Sequence, residues 1–177
     1  MTPAGLHPGL QSPLQQCETT REELLSLVRG LTRKDWNLRR SSEEWSIGLL
    51  VDHLIRAEVG TSKMAARLIR GDFAGLERPA AARLYDSTLS VYPYGRFPAP
   101  AGLLPQPLQM EDALGKLETV HRRFVDELLC FQGPDADGLA SEDQDTGWWF
   151  TLAGWVRLQA LHEEHHITQI RGLLAVQ

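Results

Sequence analysis

Cysteine is scarce in this chain: 177 residues hold only Cys17 and Cys130. They are widely separated and outside any C-x-x-C, so they supply no disulfide framework. With no charged-then-apolar leader at the start, the expected compartment is a reducing cytoplasm. No apolar run reaches the roughly 18 residues that a spanning helix needs, and no membrane partner is expected. A cluster of Lys and Arg is missing too. Together with a formal net charge of -5 and a pI near 5.7, that argues against a dedicated nucleic-acid binder. There is no phosphate loop, no G-x-G-x-x-G and no G-x-S-x-G elbow, so the common nucleotide and serine-nucleophile chemistries have no foothold.

The remaining composition, 42% apolar and 23% charged, is that of a soluble globular protein able to bury a real core. Its prolines are concentrated. Residues 1–13 hold Pro3, Gly5, Pro8, Gly9 and Pro13, which suggests a loose N-terminal arm and leaves 14–177 as a single domain. Residues 73–108 hold Pro79, Pro93, Pro98, Pro100, Pro105 and Pro107, which forbid a continuous helix. The middle of this connection carries Tyr92, Tyr94, Arg96 and Phe97. A cover over a site and a packed excursion both fit it.

Four segments show helical spacing. The first starts near Leu14 and sets Leu24, Leu25, Val28 and Leu31 on one stripe. Ser46 is a suitable N-cap for the second, which runs to about Arg70 before Gly71. A third begins near Gln109 and ends at Gly133-Pro134. Thr151 caps the last, Leu152 to about Leu174, after the anchor Trp148-Trp149-Phe150. Residues 33–45 read as a connector and 134–147 as an acidic, solvated loop. A strand-free pattern of this kind predicts an all-α four-helix bundle with a long Pro-rich connection between its second and third helices.

Chemistry concentrates on the last helix. Trp155, Leu158, His162, His166, Gln169 and Leu173 fall on one stripe, on the face expected to be buried. Unpartnered polar groups there cost free energy. His162 and His166, four apart, can grip one metal ion from a single helix face. A third ligand must come from elsewhere: His53, on the core side of the second helix with Gly60, is the candidate, and His121 is its rival. Three neutral imidazoles leave a fourth position for water or substrate, as in catalytic rather than closed structural zinc sites. The alternative for His53 is a hydrogen-bonded histidine at the core edge. Gly60 leaves room for a ligand cavity or for close helix contact, and Trp155 is expected at the pocket wall.

The string from His162 to His166 also satisfies H-E-x-x-H, which would make Glu163 a general base. Against that, Ile167–Gln177 contains no downstream His, Asp, Glu or Cys. Glu163 also sits about 100° around the helix from His162, so it is expected at the surface. His165 borders the stripe, either beside the ligands or at the surface. Gln169 either bonds a ligand or substrate or makes an ordinary core amide bond.

Glu44-Trp45-Ser46-Ile47-Gly48, Val51-Asp52-His53-Leu54, Thr151-Leu152 and His162-x-x-x-His166-x-x-Gln169-Ile170 together resemble the DinB-like, or YfiT-like, superfamily. The likeness extends from the first helix to the C-terminus and includes Phe97-Pro98-Ala99-Pro100. It implies a four-helix bundle with an unusual crossing order, frequent homodimers, and a divalent metal, most often zinc or nickel, held by three histidines that match His53, His162 and His166. It also implies an enzyme that activates water or a low-molecular-weight thiol of the bacillithiol or mycothiol type against a small electrophile, as a hydrolase or an S-transferase. The other expectation is a non-catalytic stress-response or interaction protein whose metal is structural.

Overall fold

The computed structural model describes residues 3–74, 77–86, 98–144 and 146–175. Its first helix, α1, spans Pro8–Arg29 and so starts earlier than its apolar stripe suggests. Proline at the first helical position loses no hydrogen bond, and the His7 ring accepts the Gly9 amide hydrogen at 3.1 Å. Leu6, Leu10 and Leu14 are buried. Residues 6–13 are therefore packed structure rather than a loose arm.

A one-turn helix, α2, Arg33–Trp36, interrupts the expected connector, closed at its start by a capping box between Thr32 and Asp35. Trp36 donates its indole N–H to the Leu108 carbonyl at 3.0 Å and lies flat on Gly48, where a Cβ would stand only 2.5 Å from the indole nitrogen. Helix α3, Ile47–Ile69, is capped by Ser46, whose hydroxyl accepts from Leu49 at 3.3 Å. It stops before Gly71, which takes a positive φ of 78°. A 3-10 turn, Ala101–Leu103, precedes α4, Met110–Leu129. Helix α5, Leu152–Leu174, starts on Thr151, which accepts the Gly154 amide hydrogen at 2.8 Å. Tyr92, Tyr94, Arg96 and Phe97 lie outside the described residues.

The four predicted segments are thus α1, α3, α4 and α5, but the chain is not strand-free. Strands β1, Ala140–Glu142, and β2, Trp149–Thr151, pair antiparallel with Ser141 opposite Phe150. Residues 83–85 run beside β2, with Tyr85 N–H donating to Trp149 O at 2.8 Å. So the acidic loop is anchored: Ala136 and Ser141 are buried. Three-residue strands are too short to show an alternating pattern, and their pairing is set by the bundle end they cover.

In the bundle α1 packs on α5 and α4, and α3 packs on α4 and α5, so the links from α1 to α3 and from α4 to α5 cross diagonals. The core falls into two clusters. One holds Leu10, Leu14, Phe124, Leu128, Phe150 and Val156, the other Leu24, Leu54, Leu117, Ile167 and Ile170. Between them lies a charged layer with a member from every long helix. Arg21 donates to Glu58 at 2.6 Å and to the Leu117 carbonyl at 3.2 Å, and its Nε faces a Glu163 oxygen at 3.0 Å. His121 meets the other Glu58 oxygen at 2.8 Å, and the Thr20 hydroxyl reaches Glu163 at 3.3 Å. Among the described residues, no helix is long and apolar enough to cross a membrane.

Removing Arg21 strands two carboxylates that are 0% and 1% exposed. Arg21→Met is expected to cost about 3–5 kcal/mol, the usual penalty for breaking a buried charge pair on one side. Urea unfolding followed by circular dichroism measures it. A loss below about 1 kcal/mol would mean that the layer is dispensable.

Candidate metal centre

α3 and α5 pack side by side, and each turns histidine toward the other. His53 Nε2 lies 3.2 Å from His162 Nε2, which lies 3.1 Å from His166 Nε2. No other group among the described residues brings three potential ligand side chains of His, Cys, Asp or Glu so close together. His53 and His166 are buried and His162 partly buried.

The outer nitrogens explain the orientation. His53 Nδ1 lies 2.8 Å from the Leu103 carbonyl, which can only accept, so that nitrogen carries the proton. His166 Nδ1 is 2.8 Å from Gln169 Oε1. The Gln169 amide nitrogen in turn sits 3.0 Å from His165 Nε2, which fixes the amide with its oxygen toward His166. Both rings are then tautomers that present an Nε2 lone pair to the common point. Burial lowers the His53 pKa, opposed by its bond to Leu103. It pushes His166 down to about 3, helped by His53. His162 is pushed well below the ordinary range by burial first and by His166, His53 and His165 next.

Two Nε2 lone pairs directed at one point, with the His162 ring between them, make that point attractive to a cation. Two nitrogens bound tetrahedrally to zinc at about 2.0–2.1 Å lie about 3.3 Å apart. The 3.1 and 3.2 Å separations come close to that spacing, and two of the rings, His53 and His166, have the hydrogen-bonded far nitrogens that such a site favours. The residues fit a divalent ion.

Beside the triad is a cavity of about 1100 Å³, at the upper end of the small-molecule range. His53, His162 and His166 line it, as do Gly60, Trp155, His165 and Gln169. A Cβ on Gly60 would touch only Leu103, at 3.7 Å, so the glycine opens onto the cavity and not onto another helix. Residues 98–103 form part of the wall.

Two expected placements are corrected. Glu163, expected at the surface, is 1% exposed and belongs to the Arg21 layer, on the side of α5 away from the cavity lining. Burial raises its pKa to about 7, against the pull of Arg21. α5 is covered on two sides, by α1 and by α3, and a single apolar stripe does not reveal the second. His121, the rival third ligand, is held by Glu58 and is not in the cluster.

One residue escaped the sequence reading. Asp52, named from the sequence only within Val51-Asp52-His53-Leu54, is buried. Its Oδ2 accepts the Gln106 amide hydrogen at 2.7 Å and the Arg56 Nε–H at 2.5 Å. It thereby ties the connection that supplies the Leu103 carbonyl to His53. Only its position next to His53 in the sequence hinted at this.

Breaking either support should loosen the ligand geometry. Asp52→Ala and Gln169→Leu are each expected to weaken zinc binding by about tenfold to a hundredfold, the usual effect of losing a partner of a ligating histidine. Competition with a chromophoric chelator measures this. Unchanged affinity in both variants would show that the hydrogen bonds do not orient the rings.

The model of the DinB superfamily matches residues 16–170. No curated protein matches the chain. The matched span takes in every one of the long helices in whole or large part and all three converging histidines: the chain belongs to the DinB superfamily.

Proposed function

We propose that this protein is a metal-dependent enzyme in which His53, His162 and His166 hold a divalent cation, zinc or nickel, facing a small-molecule cavity. The observation that carries the reading is the convergence of three Nε2 atoms at the wall of a large cavity, without a fourth protein ligand in the cluster among the described residues. A purely structural metal would favour a closed four-ligand shell, and His121, the residue best suited to supply it, is held by Glu58.

Bound there, the cation would act as a Lewis acid and lower the pKa of a thiol or water brought to it. The chain's own residues do the rest. Leu103 and Gln169 orient the imidazoles of His53 and His166, and burial keeps both neutral. Trp148, Phe150 and Trp155 give the cavity an aromatic wall, with Phe150 stacked on Trp155 at 4.3 Å between centroids. Such a wall excludes water from an electrophile and suits its apolar body. The base of the H-E-x-x-H pattern plays no part, because Glu163 is committed to Arg21 and Thr20. Among the described residues the one carboxylate lining the cavity, Asp143, is already bonded to Thr146, so a low-molecular-weight thiol, which ionises easily, is a better nucleophile here than water.

Tag-free protein should carry stoichiometric zinc or nickel by plasma mass spectrometry. His53→Ala, His162→Ala and His166→Ala should each lose most of it. Loaded protein should speed thiol addition to an alkyl halide or epoxide more than ester hydrolysis. Wild-type protein that takes up no divalent ion would refute the proposal, and metal binding without either activity would favour a structural metal.

A further inference from the structure

We infer that the cavity takes a small organic carboxylate: an apolar or aromatic body carrying an acid group that docks on a basic stripe of α3. The inference rests on the reading of this cavity as a substrate site and adds what the substrate is.

Arg56, Gly60, Lys63 and Arg67 follow one another at spacings of four, three and four, which places them along one side of α3. All four line the cavity. The whole chain has a net charge of -5, so three cations along one wall run against its overall balance. Counter-charges are few. Asp143 is the only acidic residue lining the cavity among the described residues, and its Oδ2 already accepts from the Thr146 amide at 3.1 Å and hydroxyl at 2.6 Å. Arg56 is paired with Asp52. Arg67 has one ion pair among the described residues, a loose, exposed contact to Asp72 at 3.5 Å, and it also reaches the Met64 sulfur at 3.9 Å and sits over the Phe73 ring. Lys63 is exposed and has no ion pair among the described residues.

Opposite charge inside a cleft raises the local concentration of an anion and orients it. Lys63 stands about 15 Å along the helix from His53, and its side chain leans back toward the N-terminal end. An acid held there places the other end of an elongated molecule near the histidines, with its body against Trp148, Phe150 and Trp155. A carboxylate suits the planar guanidinium of Arg67 and the ammonium of Lys63.

The test compares 4-phenylbutyrate with its uncharged isostere 4-phenylbutyramide on zinc-loaded protein, followed by the fluorescence of the cavity tryptophans and by calorimetry. The acid is expected to bind about tenfold tighter than the amide at low salt. In the Lys63→Gln/Arg67→Gln variant the preference should fall below about threefold. Equal affinities, binding of neither compound, or a preference that survives in the variant would overturn the inference. A preference that survives there and disappears only on zinc removal would put the acid on the metal instead. Zinc content of the same samples keeps the two readings apart: a charge preference without bound zinc would retain the inference and sink the metal proposal. Stoichiometric zinc without the preference does the reverse.

Discussion

A guanidinium with almost no access to water must find its counter-charges inside the protein. Arg21 does so in the centre of the bundle, between Glu58 of α3 and Glu163 of α5, with a carbonyl of α4 completing its bonds. One residue therefore ties all four long helices at a single level, and the apolar core divides into a cluster on each side of it. Burial of these charges is costly unless all are matched, so the helices have little freedom to slide. The rotation of α5 follows. With Glu163 turned inward to Arg21, His162 stands about 100° around the helix and faces α3, where His53 waits. The opposite rotation would strand a carboxylate and bury His162 against α1.

This constraint also explains what was legible in the sequence. The long helices, their caps at Ser46 and Thr151, and the inward pairing of His162 with His166 all follow from local spacing. His53 was readable as the third member because it shares its side of α3 with small and apolar residues. Glu163, by contrast, was misplaced: a helix buried on two faces has two stripes, and the charged one looks like a solvent face. Only the partner, Arg21 on a distant helix, reveals it. Asp52 was missed for a related reason, since its burial depends on a proline-rich connection folding over it. The start of α1 and the strands at 140–142 and 149–151 depend on tertiary cover in the same way.

Two electrostatic regimes then lie on opposite sides of α5. Inside the bundle, one guanidinium serves two carboxylates and holds the frame. At the cavity, burial keeps the imidazoles neutral, while the basic residues of α3 line the wall beyond them. A frame locked on one side lets the other be chemically demanding, because the histidine rings then need only local partners to orient them. Leu103 does this for His53 through a connection anchored by Asp52 and Trp36, and Gln169 does it for His166 from one turn further along the same helix.

The proposed chemistry requires that three Nε2 atoms form one open metal site. X-ray absorption fine structure on the zinc-loaded protein tests it most directly. Three imidazole nitrogens are expected at about 2.0–2.1 Å with a fourth, exchangeable light-atom ligand. On adding a small thiol that fourth ligand should give way to sulfur at about 2.3 Å. A zinc ion with fewer than three imidazoles, or with four ligands that no added thiol displaces, would contradict it.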